Sequence, residues 1–234
     1  MPVTADAVLD DPVGSSLDGH HAAFARRKGR MAVYDAEVAT FAAVPPDPSA
    51  ADWADLAGLL GPGGFADLFS APGTPPSAWE PIFTLPGLQF VAGESSAAAS
   101  PPRGLRLVEL GPGDVDQMRA LVARTRPGPF WARTCEMGGY LGVRDGETLV
   151  AMAGERLHPP GWTEISAVCT APEARGRGLA ATLVSEVAAR IVARGERPFL
   201  HVAADNAAAL RLYDALGYQV RREVTFRGFR VPGR

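Results

Sequence analysis

The stretch Glu164–Leu183, E-I-S-A-V-C-T-A-P-E-A-R-G-R-G-L-A-A-T-L, constrains the fold more than any other part of the chain. Ile165–Thr170 is short, apolar and β-branched, with the period-two alternation of a strand. Pro172 ends it, because proline cannot donate to a ladder and biases Ala171 towards an extended backbone. Leu179, Leu183, Val184, Val187 and Ile191 then recur at helical spacing until Gly195 closes the helix. Between the two lies Arg175-Gly176-Arg177-Gly178-Leu179-Ala180. Such a turn collects unpaired amides at the positive end of a helix, an anion site. The glycines let a diphosphate approach the backbone, and the arginines add forked donors. The stretch predicts a seat for a phosphorylated cofactor.

Three phosphate-binding patterns compete for this turn. A Walker-type loop needs a lysine after its last glycine, and Lys28, far upstream, is the only lysine in the sequence. Read as Gly176-x-Gly178-x-x-Ala181, the turn also fits a dinucleotide fingerprint. That fold turns directly off its strand, whereas Ala171–Arg175 intervene here, and Tyr140–Leu157 upstream reads as an antiparallel hairpin rather than a βαβ start. A dinucleotide-dependent oxidoreductase is therefore a lesser alternative. The third pattern, R/Q-x-x-G-x-G/A, is met by Arg175, Gly178 and Ala180 in a strand–loop–helix–strand–helix setting. Here residues 103–230 resemble the GNAT superfamily of acyl-CoA-dependent N-acyltransferases. The resemblance implies an α/β fold, a mixed sheet flanked by helices that splays open at its fourth strand.

Composition narrows the function further. A sequence 47 % hydrophobic and 21 % charged has material for a core. The net charge of −3 and the lack of a basic block beyond Arg26–Arg30 argue against a nucleic-acid partner. No apolar run approaches ~18 residues, and no secretory leader pattern opens the chain. A cytoplasmic protein without a membrane partner is expected. Cys135 and Cys169 form no disulfide framework, and mid-strand Cys169 reads as a buried structural thiol. His20, His21, His158 and His201 show no ligand spacing, so no metal is expected.

Residues 1–93 read as a smaller α+β domain of unknown role. They offer a helix in Leu17–Arg27, a hairpin of Met31–Tyr34 with Val38–Ala43, and a helix capped by Ser49 through Leu60. Phe83–Val91 reads as extended, broken at Pro86-Gly87. Residues 94–102, small, polar and proline-ended, read as a linker to a transferase domain over 103–234. From Arg103 the order is β-α-β-β-β-α-β-α-β, close to that of GNAT domains.

The resemblance assigns roles residue by residue. Val168, Cys169 and Thr170 would offer backbone groups to a pantetheine arm, and Arg175, Gly176, Arg177, Gly178, Leu179 and Ala180 would hold the diphosphate of acetyl-CoA. Asn206 is placed both to cap the following helix and to contact the cofactor arm. Tyr213, two helical turns on and before L-G-Y, matches the tyrosine that protonates the departing thiolate in some GNAT enzymes, although its apolar spacing also suits a core stripe. An amine acceptor must lose a proton, which at neutral pH costs ~4 kcal/mol for a reference pKa near 10.4. Glu164, eleven residues before Arg175, is the leading candidate base, with Glu155 and Glu136 behind it; many relatives use no dedicated base. The function implied is acetyl transfer from acetyl-CoA directly to an amine, with no serine or cysteine nucleophile. A non-catalytic acyl-CoA-binding module is the rival. The acceptor, a small molecule or a peptide amine, is left open, as is the oligomeric state. Trp131, Arg133 and Trp162 are candidate acceptor-site liners.

Overall fold

The computed structural model describes residues 6–69, 71, 73–93 and 106–233. The amino-terminal half forms α1 (Pro12–Asp18), the strands β1 (Ala25–Lys28), β2 (Met31–Tyr34) and β3 (Ala42–Ala43), then α2 (Ala50–Leu60), β4 (Phe65–Phe69) and β5 (Glu80–Ala92). Strands β1–β3 make a small antiparallel sheet. Ser49 caps α2 in a capping box with Asp52, as the sequence predicts. The helix expected over Leu17–Arg27 is not there. Helix α1 ends at Asp18 before Gly19, and Ala25–Lys28 pairs with β2 instead, because a sheet edge satisfies its backbone.

The remainder follows the expected order: β6 (Arg106–Leu110), α3 (Val115–Thr125), β7 (Tyr140–Asp145), β8 (Thr148–Glu155), β9 (Trp162–Thr170), α4 (Leu179–Ala193), β10 (Arg197–Ala203), α5 (Ala207–Ala215) and β11 (Tyr218–Arg230). The main sheet has eight strands in the order β4-β11-β5-β10-β9-β8-β7-β6. The expected boundary therefore does not separate two independent units. β5 lies between β10 and β11, antiparallel to both, and β4 forms the sheet edge beyond β11. The expected linker itself falls on residues 94–102, outside the described residues. β5 also runs unbroken through Pro86-Gly87. A Cβ at Gly87 would lie 2.4 Å from the Phe226 ring and 2.9 Å from the Val202 carbonyl oxygen, so glycine allows its neighbours to close on the strand.

Phe199 and Leu200, adjacent on β10, point to different cores. Leu200 joins Ile165, Leu183 and Val187 under α4, whereas Phe199 joins Leu9, Leu17, Tyr34 and Trp162. The amino-terminal elements thus cover the sheet face opposite α4, and one apolar cluster is built from both halves of the chain.

Candidate active site

Strands β9 and β10 run parallel and pair from Trp162↔Arg197 to Ile165↔Leu200, and no further. Beyond Ile165, β9 carries one extra residue against β8: Gly154 faces Ser166 and Met152 faces Cys169. Ala167 at this bulge has a left-handed backbone, φ +53°, unusual for a residue with a Cβ. The bulge turns β9 away while β10 stays with β5 as far as Ala203↔Gly87. A cleft of about 870 Å³ opens where the two strands part. The Ser166–Thr170 edge facing β10 is unpaired in the ladder, so an extended chain can lie along it.

The glycine turn closes one end of the cleft. Gly176 and Gly178 are left-handed, φ +76° and +75°, and a Cβ on either would project into open space. The first hydrogen bond of α4 is Thr182 N–H to the Gly178 carbonyl, so the amides just before it point out of the helix end without helical partners. This cradle fits a diphosphate, since approach is steric and donation comes from backbone. Arg175, Gly176, Gly178, Leu179 and Ala180 line the cleft. Arg177 does not, and its Nη1 lies 3.6 Å from Asp145 Oδ2. Asn206 caps α5 as expected, its Oδ1 accepting from Ala209 N–H at 3.1 Å, and it borders the cleft.

Val168, Cys169 and Thr170 also line the cleft. Burial pushes the Cys169 thiol up to about 11, against hydrogen bonds with Thr125 and the Met152 backbone, so it is a packed thiol rather than a nucleophile. Tyr213 reaches the cleft from α5 while its ring packs 6.0 Å from Phe90 and 6.0 Å from Tyr218. Burial, reinforced by the Glu164 charge, raises its phenol well above the ordinary value and keeps it protonated.

Glu164 requires a correction. It is 0 % exposed and is not part of the cleft wall. Arg156 donates from Nε to Oε2 at 2.8 Å and from Nη2 to Oε1 at 2.6 Å, and His201 Nδ1–H donates to Oε1 at 2.7 Å. Burial alone would raise this carboxyl, but the Arg156 charge and these bonds outweigh it and hold it at about 2. A carboxylate so committed is a poor proton acceptor; its work is to neutralise and orient Arg156 and His201. The other two candidates fare no better. Glu155 is buried with its oxygens on Gly139 N–H and Arg194, and Glu136 is an outer partner of Arg133.

The expected acceptor liners are also displaced. Trp162 is buried beneath Arg197, whose guanidinium carbon stands 4.0 Å from the ring centroid, and Arg133 pairs with Asp35 and Glu136. Neither these nor Trp131 reaches the cleft, though Arg126–Pro129 of the same segment does. The cleft is completed by residues that carried no sequence signal: Phe41, Asp67, Phe69, Phe83 and Leu85 from the amino-terminal half, with Arg156, His201 and Phe226. Arg156 sits over the Phe41 and Phe69 rings, at 5.2 and 5.0 Å.

His201 is fixed by a chain of bonds that crosses the molecule. Arg221 donates to Gln89 Oε1 at 2.7 Å, which turns the Gln89 amide nitrogen to the Leu9 carbonyl at 2.9 Å and to His201 Nε2 at 3.0 Å. His201 must accept there and donate from Nδ1 to Glu164, the neutral tautomer. Its pKa is lowered by burial, which prevails over the Glu164 charge. Away from the cleft, the fold also gathers His20, His21 and His158, with their nearest ligating atoms within 4.8 Å of one another, which the sequence spacing did not show. His21 is engaged at both nitrogens, by Tyr34 and the Met137 carbonyl, and His20 and His158 stack at 4.4 Å with ring planes 14° apart.

A structure from Novosphingobium aromaticivorans, assigned to the GNAT family of acetyltransferases, superposes with a TM-score of 0.84 and is 40 % identical, over 94 % of this chain and 97 % of that one. The chain belongs to the GNAT family. The model of the FR47-like protein family matches residues 140–227, from β7 into β11. N-alpha-acetyltransferase RimI of Mycobacterium tuberculosis is 40 % identical over 97 residues, which make up 40 % of this chain and 60 % of that protein. A GCN5-related N-acetyltransferase from Kribbella flavida, 19 % identical, shares the fold over 96 % of both chains at a TM-score of 0.60. The coverage of the Novosphingobium relative takes in the amino-terminal half, so the GNAT fold here includes β4 and β5.

Proposed function

We propose that this GNAT protein is an N-acetyltransferase that moves the acetyl group of acetyl-CoA directly to an amine. The observation that carries the reading is the parting of β9 from β10 onto the glycine cradle of α4, with Tyr213 in the wall of the same cleft. In it, the Ser166–Thr170 edge receives the pantetheine arm, the amides ahead of Thr182 and Arg175 receive the diphosphate, and Asn206 borders the arm. The bound thioester supplies the activated acetyl group. Tyr213 holds a proton for the departing sulfur. A phenol raised by burial is a usable acid here, because the same burial pushes the Cys169 thiol to about 11, and a thiolate released beside it is destabilised alike. Two free cysteines suit a reducing compartment, and we place the protein in the cytoplasm on that ground; among the described residues no helix is long and apolar enough to cross a membrane.

Acetyl-CoA at ~100 times its dissociation constant should add about 2.7 kcal/mol of stability, and NAD at matched concentration much less. A panel of primary amines, followed by free-thiol release, then separates a transferase from a binding module. Tyr213→Phe should keep acetyl-CoA affinity and lose ~10²–10⁴ in turnover. NAD stabilising as well as acetyl-CoA would overturn the cofactor, and wild-type turnover by Tyr213→Phe would overturn the acid.

A further inference from the structure

Asp67 is a buried carboxylate with no ion-pair partner among the described residues. It lies on β4 with only 6 % of its surface exposed, lines the cleft, and among the described residues its Oδ1 has no hydrogen-bond partner. Phe69, two residues on and therefore on the same side of the strand, packs against the tilted ring of Phe226 at 4.8 Å and meets His201 edge-on at 4.6 Å. The strand is fixed on both flanks. Asp67 faces Gly228 of β11, and its N–H donates to the Thr40 carbonyl at 3.2 Å.

The charges around it add up to one uncompensated anion. Among the described residues, Arg156 is the cation whose charge reaches Asp67, and Glu164 neutralises it through two hydrogen bonds. Burial lowers the pKa of His201, and the Gln89 amide fixes its neutral tautomer. Arg227, on the neighbouring strand, is turned to the Ala71 and Gly73 carbonyls. Thr40, Phe41 and Gly228, which flank Asp67 directly, carry no charge. A buried, unpaired carboxylate is costly unless a cation or a proton satisfies it. The surrounding wall of Phe41, Phe69, Phe83, Leu85 and Phe226 is apolar and aromatic, which suits the body that carries such a cation.

We propose that Asp67 receives the ammonium group of the acceptor, a primary amine borne on an apolar body, and takes the proton that the amine must lose before it attacks. The assignment deepens the transferase reading and rests on it. One proton passes from R–NH₃⁺ to Asp67, and the freed nitrogen bonds the acetyl carbonyl carbon of the acyl thioester as the C–S bond breaks. The departing sulfur takes the Tyr213 proton, the surplus proton on the new amide nitrogen restores the phenol, and Asp67 returns its proton to water. Burial raises Asp67 to about 6, against the pull of Arg156, so it holds a proton better than an ordinary aspartate yet is ionised at neutral pH.

Calorimetry on the full chain saturated with CoA tests this with 2-phenylethylammonium as the probe and 2-phenylethanol and 3-phenylpropanoate as neutral and anionic comparators. The ammonium should bind in preference to both. Asp67→Asn should weaken it by about 30-fold or more while leaving CoA affinity within about twofold. In the wild type, binding should fall about tenfold between pH 7.5 and about pH 5 as the carboxylate is protonated, and in Asp67→Asn it should be flat over that range. Equal ammonium binding by Asp67→Asn, preference for the anion, or no binding of the ammonium at millimolar concentration would each overturn the assignment. Failure of CoA itself to bind would instead remove the transferase reading and the role of Asp67 with it.

Discussion

Glu164 and Asp67 are both buried carboxylates that feel the charge of Arg156, and they titrate in opposite directions. Glu164 makes two hydrogen bonds with the guanidinium and one with His201 and is held at about 2, whereas Asp67 has none of these and is raised to about 6. At Glu164 the Arg156 charge and the hydrogen bonds together outweigh burial, whereas Asp67 has the charge without the bonds and burial prevails. The Glu164 carboxylate, with a folded pKa below its unfolded value of about 4.3, contributes stability that is fully present above that pH and is lost as pH falls towards about 2. Glu164→Gln leaves Arg156 buried without its counter-charge and should cost about 3 kcal/mol of stability at neutral pH. Urea titrations should show that cost shrinking between about pH 4.3 and pH 2, since the wild-type carboxylate is then protonated too. A cost independent of pH would mean that the ion pair is not what Glu164 contributes.

At the scale of elements, the turn into α4 separates steric from conformational effects. Gly178 has φ +75°, yet a Cβ there would meet no protein atom within 4 Å. Gly178→Ala should therefore cost the free protein only the strain of a left-handed alanine, ~1–2 kcal/mol. Its effect on acetyl-CoA should come on top of that strain, because the open space beside Gly178 is where a diphosphate would approach. Calorimetry should show at least about tenfold weaker binding, worth ~1.4 kcal/mol. Unchanged affinity would place the phosphates elsewhere. The bulge at Ala167 belongs to the same level, since one extra residue in β9 is what parts two strands that otherwise pair in register.

For the whole molecule, the arrangement of β5 has the largest consequence. It fills the position between β10 and β11, and its Gln89 is both a sheet residue and the group that fixes His201. Removing residues 1–93 would strip one edge of β10, take away both strands that β11 pairs with and uncover Trp162 and Phe199. A fragment of 103–234 should therefore fail to unfold cooperatively and should aggregate on size-exclusion chromatography. A monodisperse, cooperatively melting fragment would show that the carboxy-terminal strands can close a sheet without β5.

How much of this could be read from the chain follows from the range of each interaction. The strand Ile165–Thr170, the glycine turn, the α4 stripe of Leu179, Leu183, Val187 and Ile191 and the Asn206 cap rest on contacts a few residues apart, and each reappears in the structure. Their spacing also carried the GNAT resemblance. The acceptor side of the cleft has no such local mark. Phe41, Asp67 and Phe69 are brought to Arg156 and His201 by pairing across more than a hundred residues, and a lone aspartate in F-A-D-L-F reads as an ordinary strand residue. The same range explains the error at Glu164, whose position suited a base until the burial of Arg156 and His201 around it turned its carboxylate into a buried counter-ion. Nor does Pro86-Gly87 announce an interior strand, because proline and glycine locally favour a break. Only the close approach of Phe226 and the Val202 carbonyl, supplied by strands distant in sequence, makes glycine the residue that fits there.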